Sequence, residues 1–300
     1  METVLRSASK EVVIGGEGPF CIIGERINPT GRKIFQDQLR RGDLSRIEID
    51  VDQQVAGGAM VLDINMGAPL ADETELMVRA VKLVQGRTDL PLCLDSSIVE
   101  VLDAGLGAHA GKALVNSVTA EDERLDAILP LVKRYGAAVI ALPNDETEIP
   151  DDPRRRLELV RKIVDVATGR YGIPIEDIVI DPLAMPVGAD TSLVSKTLET
   201  IALVHAEFGV NMTLGASNVS FGMPDRIAIG CAFLPIAISA GLTSAIMDAR
   251  SPELVRACKA ADLLLNRDEW GATWIAGHRA AQAQAQQAQA EQAQAQRASP

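Results

Sequence analysis

Short aliphatic runs alternate with amphipathic stretches from residue 20 to about residue 265. The runs are 21–24, 60–64, 92–94, 113–115, 137–142, 178–180, 212–215 and 244–247. Each is too short for a buried helix and is bounded by Gly, Pro, Asp or Asn, the signature of a strand covered on both faces. Between them the apolar positions recur at helical spacing, which predicts helices over 44–57, 72–85, 97–107, 121–135, 153–171, 190–207, 225–240 and 251–265. Start signals such as "TAEDE" from Thr119 and "SPE" at Ser251 support two of these boundaries. Eight strands, each followed by a helix, predict an α/β chain whose parallel sheet closes into a TIM (β/α)8 barrel. An open doubly wound sheet is the rival, but no GxGxxG follows the first strand.

Residues 1–278 are expected to form the barrel and residues 279–300 a separate tail. From His278 onward the chain is almost wholly Ala and Gln, good helix formers without an apolar stripe, so disorder or a frayed exposed helix is expected there.

Composition narrows the picture. With 47% hydrophobic residues but only two Trp, two Tyr and five Phe, aliphatic side chains must fill the core. A net charge of -12 disfavours nucleic acid as a partner. The one compact basic cluster, "DDPRRR" at 151–156, reads better as the solvated first turn of a helix than as a phosphate clamp. Cys21, Cys93, Cys231 and Cys258 are far apart, and with His109, His205 and His278 they suggest no metal site. They read as reduced, buried thiols. Without an apolar run of about 20 residues or a signal-peptide h-region, the chain is expected to be cytoplasmic.

The chemistry lies where the strands stop. In order, the runs end at Glu25, Asp63 and Asn65, Asp95, Asn116, Asn144, Asp181, Asn218 and Asp248. Any one of these could be a helix N-cap. A carboxylate or carboxamide after every strand, at the barrel face where βα loops build active sites, suggests instead one shared polar pocket. A pterin suits such a pocket. Its 2-amino group and adjacent ring N–H are donors that one carboxylate can accept together, and its carbonyl and ring nitrogens can take hydrogen bonds from Asn amides.

The words "GERINPTG", "LDINMGAP", "LCLDSS", "LVNSVTAE", "VIDPLAMP" and "LGASNVSFGMPDR" stand in this order along the chain. They resemble the pterin-binding domain of cobalamin-dependent methionine synthase and, more closely, the stand-alone methyltetrahydrofolate:corrinoid protein methyltransferases. The resemblance spans residues 18–265 and implies a barrel, usually homodimeric, that binds methyltetrahydrofolate at its C-terminal mouth. It implies that Asp95, Asn116 and Asp181 hydrogen-bond the pterin ring, that Asn218 contacts nitrogen-5, and that Asp63 and Asn65 form the pocket floor. Glu25, Arg26 and Asn28 belong to the family's opening motif, so the polar tip of the first strand walls the pocket. Arg226 either reaches the folate tail or faces solvent. Asp181 and Asp95 are the implied proton donors and Asn218 the implied catalytic amide. No metal is implied for this chain. It carries no DxHxxG cobalamin signature and no helical cap domain ahead of the barrel, so the corrinoid is expected on a partner protein. Two alternatives stay open: a dihydropteroate synthase-like pterin enzyme, and a non-catalytic pterin- or corrinoid-binding subunit.

Overall fold

The computed structural model describes residues 1–147 and 149–298. Seven parallel strands form one curled sheet: β3 (Cys21–Ile27), β4 (Val61–Asn65), β5 (Leu92–Asp95), β6 (Leu114–Thr119), β7 (Ala138–Leu142), β8 (Ile178–Ile180) and β9 (Ser244–Met247). The order is β8-β7-β6-β5-β4-β3-β9. The expected strand over 212–215 is present only as two parallel bridges, Met212 to Ile180 on one side and Gly215 to Ile246 on the other. These still close the barrel, because Thr213 N donates to Ile180 O at 2.9 Å and Ile246 N to Leu214 O at 2.9 Å. The fold is thus a TIM-type barrel with one irregular stave.

The outer helices follow the sequence closely. They are α2 (Ser45–Gly57), α3 (Glu73–Gln85), α4 (Val99–Ala108), α5 (Asp122–Tyr135), α6 (Pro153–Asp165), α7 (Leu193–Phe208), α8 (Arg226–Ala240) and α9 (Pro252–Leu264), preceded by a short α1 (Lys33–Arg40) in the first loop. Local chemistry explains several ends. Asp72 caps α3 by accepting from Glu75 N at 3.0 Å, and Asp152 and Pro153 start α6. Gly58 ends α2 at φ 102, where a side chain would be strained.

Two elements go beyond the periodic pattern. The first is an antiparallel hairpin, β1 (Glu2–Arg6) with β2 (Glu11–Gly15), that closes the bottom of the barrel. Its Leu5, Val12 and Ile14 pack against Cys21, Ile23, Val61, Cys93, Leu114, Ala138, Ile140 and Val179, the inward-facing layer of the strands. Asn211 fastens it, donating to Ile14 O at 2.8 Å and Thr3 Oγ1 at 3.0 Å. The second is α10 (Ala272–Ala298), into which the Ala/Gln tract runs; Ser299 and Pro300, the end of the expected tail, lie outside the described residues. Cys21, Cys93 and Cys258 are buried free thiols, whereas Cys231 is only partly covered, on the outer helix α8. No helix among the described residues is long and apolar enough to cross a membrane.

Candidate functional site

Strand alternation builds the site. Successive side chains in a strand point to opposite faces, so the residue two beyond an inward-facing one also faces in. The inward layer contains Ile23, Val61, Cys93, Leu114 and Val179, with Ile246 packed against it. Two residues on come Glu25, Asp63, Asp95, Asn116, Asp181 and Asp248, with Asn65 one step above Asp63. Register levels them: Asn65, Asp95 and Asn116 are successive Cα partners across three strands. The barrel mouth is therefore a well with an aliphatic floor and a ring of carboxylates and carboxamides. Asp63 is 2% exposed, while the rest of the ring is partly open to solvent.

Within the well the amides tie the acids together. Asn65 Nδ2 donates to Asp95 Oδ2 at 2.9 Å, and Asn116 Nδ2 to Asp63 Oδ1 at 3.3 Å. Asp95 and Asn116 are not helix caps: the cap positions of α4 and α5 are Ile98 and Glu121. Three ring members also close their own loops, Asn65 accepting from Gly67 N at 2.7 Å, Asp181 from Leu183 N at 2.8 Å and Asp248 from Arg250 N at 3.0 Å.

Crowding acids under low dielectric raises their affinity for protons. Burial pushes Asp63 well above the usual carboxylate range, and the neighbouring Asp95 adds to the effect. Asp95 is raised by burial, against the pull of the Asn65 hydrogen bond. Glu25 is raised by burial and by Asp248. Burial acts upward on Asp248 too, but hydrogen bonds from Arg250 and Gln54 outweigh it and leave that carboxyl below its ordinary value. Burial pushes Asp181 up to about 6, against the Leu183 hydrogen bond and the charge of Arg156.

The Asp181 shift has a measurable sign. A carboxyl that titrates higher folded than unfolded holds its proton longer in the native state, so its contribution to stability is full at low pH and is lost as pH rises. Between pH about 4 and about 6 the native chain should lose stability with rising pH on account of Asp181. In Asp181→Asn that component should vanish from denaturant unfolding across the same window; an unchanged slope would show that Asp181 does not titrate there.

Asn218 lies in a 3-10 turn, Ala216–Ser220, just above the irregular stave. A Cβ on Gly215 would come within 2.9 Å of Asn218 Nδ2, so glycine there lets the amide fold back over the backbone. Among the described residues none hydrogen-bonds this side-chain amide. Next to it a cleft of about 260 Å³ is lined by Glu25, Ser217, Arg226 and Asp248, with Ser217 Oγ donating to Glu25 Oε2 at 3.3 Å. Arg226 faces this cleft, but its guanidinium is engaged by Ser220 Oγ at 3.2 Å and Ser217 O at 2.7 Å.

The reading of 151–156 as a solvated turn fails at one residue. Arg156 is 0% exposed, lying under the β8–α7 loop. Its Nε donates to Pro150 O at 2.7 Å, and its Nη1 to Pro182 O at 2.9 Å and Leu183 O at 3.1 Å. It fixes the loop that carries Asp181. Arg155, by contrast, is itself exposed and pairs with Asp145 and Glu158. Gln54 belongs to none of the six motifs, yet it reaches the site. It is fully buried on α2, donates to Asp248 at 2.8 Å and accepts from Ala249 N at 3.3 Å. A signal for it exists in the chain, since Ile47, Asp50, Val51 and Gln54 form one helical stripe in which two polar residues occupy core positions.

No group of three or more His, Cys, Asp or Glu among the described residues could hold a metal ion. Solved structures with the same architecture include the Yersinia pestis dihydropteroate synthase, with TM-score 0.64, 17% identity, and 89% of this chain and 100% of that one covered. The Xanthomonas albilineans dihydropteroate synthase in complex with 7,8-dihydropteroate gives TM-score 0.69 and 20% identity over 87% of this chain and 98% of that one. At such identities the likeness concerns the fold. The family model described as "Pterin binding enzyme" matches residues 24–248, from within β3 to just past β9, and the chain therefore belongs to the pterin-binding enzymes.

Proposed function

We propose that this chain moves a methyl group between nitrogen-5 of (methyl)tetrahydrofolate and the cobalt of a corrinoid held by a separate protein. The observation that carries the proposal is the chemistry of the corner formed by β3, the 216–220 turn and β9. It offers the carboxylate of Glu25, Asp248 paired with Arg250 at 2.6 Å, and Arg226 held by Ser217 and Ser220, with the uncommitted amide of Asn218 on the adjoining turn. A neutral tertiary amine that must gain a proton or a hydrogen bond as it loses its methyl group would find acceptors and a donor. The six sequence motifs support the same reading.

In this scheme Asp95, Asn116 and Asp181 hold the pterin edge, with Asp63 and Asn65 beneath them. Departure of the methyl group leaves charge on nitrogen-5, and a hydrogen bond that strengthens only as that charge develops lowers the barrier. Asn218 supplies it, and the raised acids Asp95 and Asp181 are the proton sources. The corrinoid contributes the reduced cobalt. It approaches on its own protein at the open mouth, and the enzyme works as a homodimer, as the resemblance implies.

A second reading, dihydropteroate synthase, is favoured by the solved structures that share this fold. Two assays on the full chain separate the readings: loss of cob(I)alamin absorbance with methyltetrahydrofolate as donor, and condensation of 4-aminobenzoic acid with a dihydropterin diphosphate. Folate-dependent loss of cob(I)alamin is the expected result. Condensation without methyl transfer would install the second reading. Tight folate binding with turnover in neither assay would leave a binding subunit.

A further inference from the structure

Beyond the well, on the other side of the β3 tip, lies a cavity of about 490 Å³ whose lining includes Arg26, Arg32, Lys33 and Arg46 and no carboxylate. In a chain of net charge -12 such a concentration of cations needs an explanation. Part of it is structural: fully buried Asp50 pairs with Arg32 at 2.8 Å and Arg46 at 3.1 Å. Even with Asp248 acting on Arg26 from the well side, two carboxylates against four cations leave a positive excess. Lys33 is exposed with no ion-pair partner among the described residues, and Arg26 Nε is buried with no hydrogen-bond acceptor among them. Burial, Arg32 and Arg250 work against the charge on Arg26, and Asp248 and Asp50 offset them only in part, the condition an anion would relieve.

We infer that this cavity is an anion site that holds the carboxylates of an oligo-γ-glutamyl tail on the folate whose pterin occupies the well. The inference rests on the folate reading proposed above and extends it. Glu25 and Arg26 are consecutive, so one strand tip serves both regions: Glu25 walls the well and Arg26 lines the cation cavity. A folate carries its aminobenzoyl-glutamate on the far side of the ring from its amino edge, so an added glutamate chain must leave through the mouth. Arg226 also lies near the mouth, but it lines the cleft beside the 216–220 turn, where Ser217 and Ser220 fix its orientation, and not the cation cavity, whose Lys33 has no ion-pair partner among the described residues. Guanidinium and ammonium groups in a partly enclosed cavity bind carboxylates one by one, so affinity should climb with tail length and fall with salt.

The test is the affinity of the full chain for tetrahydrofolate monoglutamate and pentaglutamate, measured by calorimetry at low and high salt. The pentaglutamate should bind about tenfold more tightly at low salt, the scale of a few partly exposed ion pairs, and the advantage should shrink as salt rises. In Lys33→Glu the preference should fall to about twofold or less while monoglutamate affinity holds. Arg26→Gln provides a second check on the length preference. Equal affinity for the two tails, or a preference unmoved by both variants, overturns this site and leaves the pterin reading intact. Failure of either folate to bind overturns both. If inorganic diphosphate displaces the pentaglutamate advantage as well as free oligoglutamate does, the cavity is a general anion site and the tail assignment falls.

Discussion

Asn218→Ala is expected to carry out methyl transfer about 100-fold more slowly than the native chain, the usual scale for losing one hydrogen bond that matters mainly in the transition state. No described residue bonds the side-chain amide, so the fold does not depend on it. The side chain is exposed, and the turn beneath it is held separately by backbone bonds from Asn218 N to Gly215 O at 3.1 Å and from Phe221 N to Asn218 O at 3.0 Å. Folding should therefore survive the change. Folate affinity should shift much less than turnover, because a contact that tightens as the bond breaks appears in kcat rather than in ground-state binding. Single-turnover kinetics with saturating folate would show it directly. A rate within a few-fold of native would remove Asn218 from the chemistry.

Arg156→Ala is expected to destabilise the chain by about 4 kcal/mol, measured by urea unfolding. The guanidinium donates to Pro150 O, Pro182 O and Leu183 O, and its removal strands the two proline carbonyls around an emptied space, while Leu183 O keeps the Thr197 hydroxyl at 3.0 Å. Each buried polar group left without a partner costs about 1–3 kcal/mol, and the lost packing adds to that. The same change should raise the Asp181 pKa further above about 6, since Arg156 is a charge that lowers it. A loss under about 1 kcal/mol, less than one stranded buried group costs, would mean that the loop carrying Asp181 is held by other contacts.

The barrel was legible because its signal is local. Short aliphatic runs and 3.6-residue periodicity marked seven of the eight staves and the outer helices to within a few residues. The stave at 212–215 departs because its backbone is shared between neighbours through single bridges rather than a ladder. The ring of polar residues was legible for a related reason: each lies one position past a run that had to be buried or, for Asp63, near the end of one, and alternation sends it inward. What remained hidden depends on long-range contact. Arg156 looks like its neighbours Arg154 and Arg155 until the β8–α7 loop folds over it. The hairpin at 2–15 carries only three core residues, too few to announce a sheet, and its partners lie as far off as Asn211.

That hairpin also sets an order of events for a chain emerging from the ribosome. Thr3 donates to Glu176 O at 2.5 Å, and Asn211 closes over Thr3 and Ile14 from the other side. Residues 2–15 therefore have no finished place to dock until the chain has been made as far as Asn211. Such sequence-distant contacts are slow to form, and a nascent chain must keep Leu5, Val12 and Ile14 unclaimed meanwhile. The hairpin, made before the strands it plugs, is thus among the last elements to settle.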